Sequence, residues 1–116
     1  MPFKPSDSVL PLTPISFEVL LALLDGERHG YAILQAVEER LSGKVPLRTG
    51  TMYRALARLL DEGLIERSGT ADDDDPRRRY YRITPHGRAT AKAEARRLAD
   101  QVEAARAHRL LPEPRR

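Results

Sequence analysis

Two guanidinium groups four residues apart, Arg54 and Arg58, stand in the stretch RTGTMYRALARLLDEG (residues 48–63) with Arg48, Thr49, Gly50 and Thr51 just before them. Guanidinium and hydroxyl groups are the ones that hydrogen-bond phosphate oxygens and base edges. At the helical period Gly50, Thr51, Arg54, Ala57, Arg58 and Asp61 share one side, whose N-terminal half carries no acid. Met52, Leu56, Leu59 and Leu60 share the other, with Ala55 and Tyr53 at its edges. A helix so divided seats one face on a core and offers the other to a negatively charged partner. Arg54 is placed for a bidentate contact to guanine in a major groove, a pairing that discriminates by about 1–3 kcal/mol. Thr49, Thr51, Tyr53 and Arg58 suit phosphate or thymine-methyl contacts, which fix register. Arg48, just outside the helix, suits either role. Tyr53 serves equally well as an edge of the buried face. Amphipathic helices with two arginines are common and most are simply solvated, so context has to decide.

A second basic cluster, Arg77, Arg78 and Arg79, follows four consecutive aspartates at 72–75. The arginines suit a phosphate backbone or a minor groove. The aspartates would be repelled by phosphate, so either they fold onto the arginines or they stay clear of a duplex. As a cation site such a run lacks fixed geometry. His29, His86 and His108 fall in different elements without HxxxH or HExxH spacing, and the chain has no Cys. No phosphate loop or nucleophile elbow occurs. No catalysis, no metal and no cofactor is therefore expected.

The composition agrees with that frame. A chain of 116 residues is one domain, and with 5% aromatics and no Trp its core must be aliphatic. The net charge of +3 points to an anionic partner. The excess positive charge lies in the second half. The longest apolar run, residues 19–24, is too short for a bilayer, and the N-terminus lacks a basic patch followed by an apolar segment. A soluble cytoplasmic protein is expected, with no membrane partner.

Each element has a start and a stop. Residues 1–12 hold three prolines and no period, and read as an arm. Thr13-Pro14 caps a first helix, ISFEVLLALLD, that is apolar nearly all round and so is packed from several directions or against a second subunit. A short connection, residues 27–29, leads to a second helix, GYAILQAVEERL, with Ile33, Val37 and Leu41 on one face and Gly43 as its cap. Residues 44–47 are a turn, and the stretch from Arg48 is the third helix. The period then changes: LIERSGT and RRRYYRIT alternate around the acidic tip ADDDDP, which makes a two-stranded hairpin. In it Tyr80 and Tyr81 face opposite sides, so at most one is core. Thr84-Pro85 opens a last helix that runs to about Leu111.

The predicted fold is thus mainly α with a two-stranded β-hairpin, a winged helix-turn-helix plus a long C-terminal helix. The expected division is an arm (1–12), a DNA-binding domain (13–84), a dimerisation helix (85–111) and a tail (112–116). Along the last helix Ala91, Ala95, Leu98, Val102 and Ala105 recur at spacings of four and three, an a/d seam for a homodimer. Its residues are small, so the seam needs help from the first helix or the arm.

HGYAILQAVEERL, GTMYRALARLLDEGLIE and PRRRYYRITPHGR resemble, in order and spacing, the corresponding stretches of the PadR family of bacterial transcriptional regulators. The resemblance covers about residues 14–90. It implies a homodimer that binds double-stranded operator DNA through paired winged helices, commonly as a repressor relieved by a small-molecule effector. The short C-terminal part resembles the branch that dimerises through a single last helix. Two departures stand out. Where the family often has Ser-Pro before its Gly-Thr pair and Pro after the Tyr, this chain has Arg48-Thr49 and Arg54. Its last helix has no Phe, Tyr or Trp, the residues with which some relatives stack flat drugs between subunits. The competing reading is a winged helix used as a protein-interaction module. Arg54 and Arg58 argue for DNA; the wing aspartates argue the other way.

Overall fold

The computed structural model describes residues 10–42, 48–69, 75 and 77–112. Its elements are α1 (Pro14–Ala22), β1 (Arg28–His29), α2 (Gly30–Leu41), α3 (Thr49–Asp61), β2 (Ile65–Ser68), β3 (Tyr80–Ile83) and α4 (Pro85–Ala107). The expected Gly43 cap, the turn at 44–47 and Asp72, Asp73 and Asp74 lie outside the described residues.

The helices start where side chains can close their first turns. Thr13 Oγ1 accepts from the Ser16 amide at 3.1 Å, and Thr84 Oγ1 accepts from the Gly87 amide at 2.9 Å, each ahead of a Pro that has no amide hydrogen to satisfy. α2 begins on a cap that no Ser, Thr, Asp or Asn announces: His29 Nδ1 accepts from the Ala32 amide at 3.0 Å. The helix ends were less legible than the starts. α1 stops at Ala22 rather than Asp25, because Leu23 and Leu24 tighten into i→i−3 bonds to Leu20 and Leu21. α4 stops at Ala107 rather than near Leu111. There Arg109, at φ 59°, turns the chain, and the Leu110 amide reaches back to the Ala105 carbonyl at 2.9 Å. No glycine marks that stop, so nothing in the sequence gave warning of it.

Val19, Leu20 and Leu23, Ile33 and Val37, Met52, Leu56 and Leu59, Leu64, Ile65, Tyr81 and Ala91 form one core. α1 packs against α2, α3 and α4, which explains why nearly all its sides are apolar. Burying a Leu or Met side chain contributes about 1.5–3 kcal/mol. Rotating α3 so as to bury its arginines would expose Met52, Leu56 and Leu59, so the core fixes which face looks outward.

The hairpin becomes a three-stranded antiparallel sheet of order β1-β3-β2. β2 pairs with β3 in the register Ile65↔Ile83, Glu66↔Arg82, Arg67↔Tyr81, Ser68↔Tyr80. On its solvent side Arg82 Nε meets Glu66 Oε1 at 2.6 Å. The expected connection at residues 27–29 supplies the third strand, with Arg28 opposite Tyr81 and His29 opposite Tyr80. A two-residue strand is too short to show a period, which is why the sequence alone does not mark it. Tyr81 is buried and Tyr80 exposed, as the alternation requires.

Two glycines set the geometry around the wing. Gly63, at φ 75°, lets the chain leave α3 in a left-handed turn, with the Leu64 amide bonded to the Leu59 carbonyl at 2.9 Å, and so drives Leu64 into the core. At Gly87 a Cβ would collide with the Leu64 carbonyl and press on Ile83, so only glycine lets α4 lie this close to the base of the wing.

Candidate nucleic-acid interface

The outward face of α3 is built as its sequence requires. Met52, Ala55, Leu56 and Leu59 are buried, while Gly50, Arg54, Ala57, Arg58 and Asp61 are exposed. Leu60 and Tyr53 are half-buried at the edges. Arg48 occupies the N-cap position, where its side chain, which has no acceptor, makes no capping bond, and no acid stands in the first turn. The first intrahelical bond runs from the Met52 amide to the Arg48 carbonyl at 3.1 Å. The preceding amides therefore point out of the helix end, beside Thr49 and Thr51, and give it a partial positive charge.

Arg54 lies back along this surface. Its Nη2 donates to Thr51 Oγ1 at 3.3 Å, and its Nη1 sits over Gly50, where a Cβ would stand 3.3 Å away. Glycine at 50 thus leaves room for the fork. No carboxylate pairs with Arg54 among the described residues. Arg58 differs: its Nε donates to Glu62 Oε1 at 2.7 Å, an i,i+4 pair at the end of the helix. Glu62 lies beyond the acid-free half of the helix, and its i,i+4 spacing from Arg58 is visible in the sequence.

In the wing, the arginine run is divided among three roles. Arg77 donates to both oxygens of Asp75, Nε to Oδ1 at 3.1 Å and Nη2 to Oδ2 at 2.8 Å. Arg78 Nε lies 3.7 Å from the same carboxylate. Arg79 is half-buried and hydrogen-bonds the Tyr81 side chain. The last of the four aspartates therefore folds onto the arginines. With the Arg77 side chain and amide both donating to it, the Asp75 carboxyl is pulled down to about 2.

Tyr53 is half-buried against the core at the edge of the α3 face. Its hydroxyl is enclosed and has no hydrogen-bond partner among the described residues, and burial pushes its pKa above the ordinary tyrosine value. Arg77 and Asp75 are near enough to that hydroxyl for their charges to act on it, Arg77 against and Asp75 with the effect of burial. In the free chain the Tyr53 hydroxyl does not project outward.

Along α4 the proposed seam is split. Ala91 is buried at 5% exposure in the core of its own chain, because the first turns of α4 pack on α1 and β3. That position is occupied, and Ala91 is corrected from seam to core. Beyond it Ala95 and Val102 are exposed and Leu98 and Ala105 half-exposed. Glu94, 1% exposed, accepts the Leu12 amide at 3.0 Å and pairs with Arg97, which holds its carboxyl below the usual carboxylate range. The end of the arm is thereby tied to α4.

No group of His, Cys, Asp and Glu among the described residues could hold a metal ion. No helix of the described residues is long and apolar enough to cross a membrane.

Three helices, the third with a basic outward face, followed by a strand pair, define a winged helix-turn-helix. Residues 19–93 match the Transcriptional regulator PadR-like family, and the chain belongs to that family. Its regulators are transcription factors rather than enzymes, which agrees with the absence of catalytic motifs in the sequence. An uncharacterized protein of Lysinibacillus sphaericus is 32% identical over 71 residues, 61% of this chain. The chain spans 65% of the length of that relative and 22% of a second one. A PadR family transcription regulator from Clostridium difficile R20291 superimposes with a TM-score of 0.69 at 25% identity, over 83% of this chain and 98% of that one. Bacillus subtilis PadR, solved in complex with operator DNA, has the same fold, with a TM-score of 0.55 at 23% identity over 91% of this chain and 51% of that one.

Proposed function

We propose that this chain is a homodimeric repressor that binds an inverted-repeat operator and is released by a small-molecule effector. The observation that carries the reading is the N-terminal half of α3, where Arg48, Thr49, Thr51 and Arg54 stand on a face the core does not use and no acid among the described residues pairs with them. Arg54 reads a guanine edge. Arg48, Thr49, Thr51 and Arg58 hold phosphates and fix the register, Arg58 by exchanging Glu62 for the backbone. Arg77 and Arg78 grip the flanking backbone once Asp75 yields them, while Arg79 steadies the wing through Tyr81. Tyr53 packs the wing against α3.

Two copies meet along α4 through Ala95, Leu98, Val102 and Ala105, together with Leu110 and Leu111, which are 74% and 43% exposed. Two α3 helices related by a two-fold axis enter successive major grooves, so the half-site centres lie about one helical turn, or a multiple, apart. Bacillus subtilis PadR bound to operator DNA supports the partner assigned here.

The test is selection of bound duplexes from a random pool, followed by a salt series on the winner and a scrambled control. An inverted repeat bound far more tightly than the control supports the regulator. Equal binding that vanishes with salt leaves only nonspecific charge. The latter result would favour the protein-interaction reading, whose support is the neutralisation of the wing by Asp75.

A further inference from the structure

The carboxylate of Glu94 is buried at the point where α4 leaves its own domain. Gly87, Thr90, Ala91 and Glu94 are the buried residues of that helix, and every later residue of α4 is at least partly exposed. Both oxygens of Glu94 are committed. Oε1 accepts from Arg97 Nε, and Oε2 accepts from Arg97 Nη2 and from the Leu12 amide, each of the latter two at 3.0 Å. Leu12 in turn rests half-buried on the core. One side chain therefore joins the end of the arm to the start of the projecting helix.

Stability alone gives no reason for a charge here. Taking a carboxylate and its guanidinium partner out of water offsets much of their attraction, and an apolar side chain of similar volume often serves a fold as well or better. What the carboxylate adds is geometry. An apolar contact tolerates sliding, whereas the hydrogen-bonded oxygens accept one placement of the Leu12 amide against α4. That placement has leverage. The direction of α4 is held at two points, Gly87 close against the Leu64 carbonyl and Glu94 against the arm, seven residues or about 10 Å apart along the axis. Ala105, the last residue of the seam, lies eleven residues or about 16 Å further on. A displacement at Glu94 thus grows about two- to threefold by Ala105.

We propose that Glu94 is a positioning residue: by clasping the arm to α4 it fixes the angle between each DNA-binding domain and the seam, and so the half-site spacing that the dimer accepts. The spacing step rests on the dimeric DNA-binding reading above; the clasp stands without it. Beyond Glu94 the seam offers only Ala95, Leu98, Val102 and Ala105, too little bulk to resist rocking by itself. With the arm held by Glu94, rocking of the domain has to break the bond to the Leu12 amide.

The experiment takes two readouts on the full chain and on its Glu94→Gln and Glu94→Leu variants. Amide hydrogen exchange, followed residue by residue, reports the clasp. Affinity for the selected operator, divided by affinity for the same half-sites moved two base pairs apart, reports the spacing; that shift displaces one half-site by about 7 Å and turns it by about 70°. The Leu12 amide should be protected in the wild type and in Glu94→Gln, which keeps an acceptor oxygen. In Glu94→Leu it should exchange about tenfold faster or more, with the amides of α2 and α3 unchanged. The affinity ratio should be about tenfold or more in the wild type and Glu94→Gln, and fall below about threefold in Glu94→Leu. Leu12→Pro removes the donor without touching α4 and should lower the ratio likewise, which decides the matter if Glu94→Leu does not fold. An unprotected Leu12 amide in the wild type, or full protection in Glu94→Leu, would overturn the clasp and the proposal with it. A ratio left intact once Leu12 is released, with affinity kept or lost equally at both spacings, would make Glu94 a stabiliser only and overturn the proposal too. Protection of Leu12 through Glu94 in a protein that binds no inverted repeat would sustain the clasp while sinking the dimeric regulator, and the spacing step with it.

Discussion

The face of α3 and the wing both carry arginines, but they hold them differently. Arg54 leans on a hydroxyl and a glycine, with no acid paired to it among the described residues, whereas Arg77 and Arg78 share the carboxylate of Asp75. An unpaired fork on a helix fixed by the core can commit its donors to one base edge. A fork already paired must exchange its partner for phosphate, so its net gain from DNA is smaller and indifferent to sequence. The α3 face should therefore set which operator is chosen, and the wing how tightly any duplex is held.

The largest way to break this contrast is to misplace the wing. Gly87→Ala puts a methyl group into the Leu64 carbonyl and against Ile83. A stability loss of about 3 kcal/mol or more is expected, since overpacking commonly costs 1–3 kcal/mol and backbone yields less than a side chain. Chemical denaturation measures it, and an unchanged midpoint would mean that α4 shifts freely.

Next in size is the loss of the proposed dimer. Leu98→Asp with Val102→Asp should give monomers in ultracentrifugation and abolish tight operator binding, because each half-site alone lacks its partner. A surviving dimer would move the interface off these residues, towards Leu110 and Leu111.

Smaller effects divide the two arginine surfaces. Arg78→Ala should weaken every duplex alike and flatten the salt slope by about one. Asp75→Asn should act in the opposite sense, tightening all duplexes by less than tenfold and steepening the slope by about one or less, since it frees charge without adding contacts. The pH dependence follows from the depressed carboxyl. An acid whose folded value is lowered to about 2 keeps its pairing above its ordinary value of 3.8 and loses it only as pH falls through about 2. Operator affinity should thus show no titration from Asp75 between about pH 5 and 8. A step in that window that disappears in Asp75→Asn would refute the pairing.

How far these surfaces were legible in the sequence differs as well. The α3 face could be read because a buried helix declares itself through period alone, and Met52, Leu56 and Leu59 leave one outward side for Arg54. The caps at Thr13 and Thr84 were equally plain, each a hydroxyl before Pro. What escaped depends on meetings between distant residues. The β1 strand is two residues of main-chain pairing, His29 caps through a ring nitrogen, and Glu94 holds Leu12 across 82 positions. Ala91 fits a heptad as well as it fits a core, and spacing alone could not tell which neighbour it would meet. The arginine run looked uniform, yet Asp75 and Tyr81 divide it.

The most direct measurement is the ratio of operator affinity to scrambled-duplex affinity for the wild-type chain, Arg54→Ala and Arg78→Ala at one salt concentration. The ratio should fall by roughly tenfold or more for Arg54→Ala, in line with about 1–3 kcal/mol of base discrimination, and stay unchanged for Arg78→Ala. Equal loss on both duplexes for Arg54→Ala would show that this residue grips the backbone only, and the division between reading helix and gripping wing would be wrong.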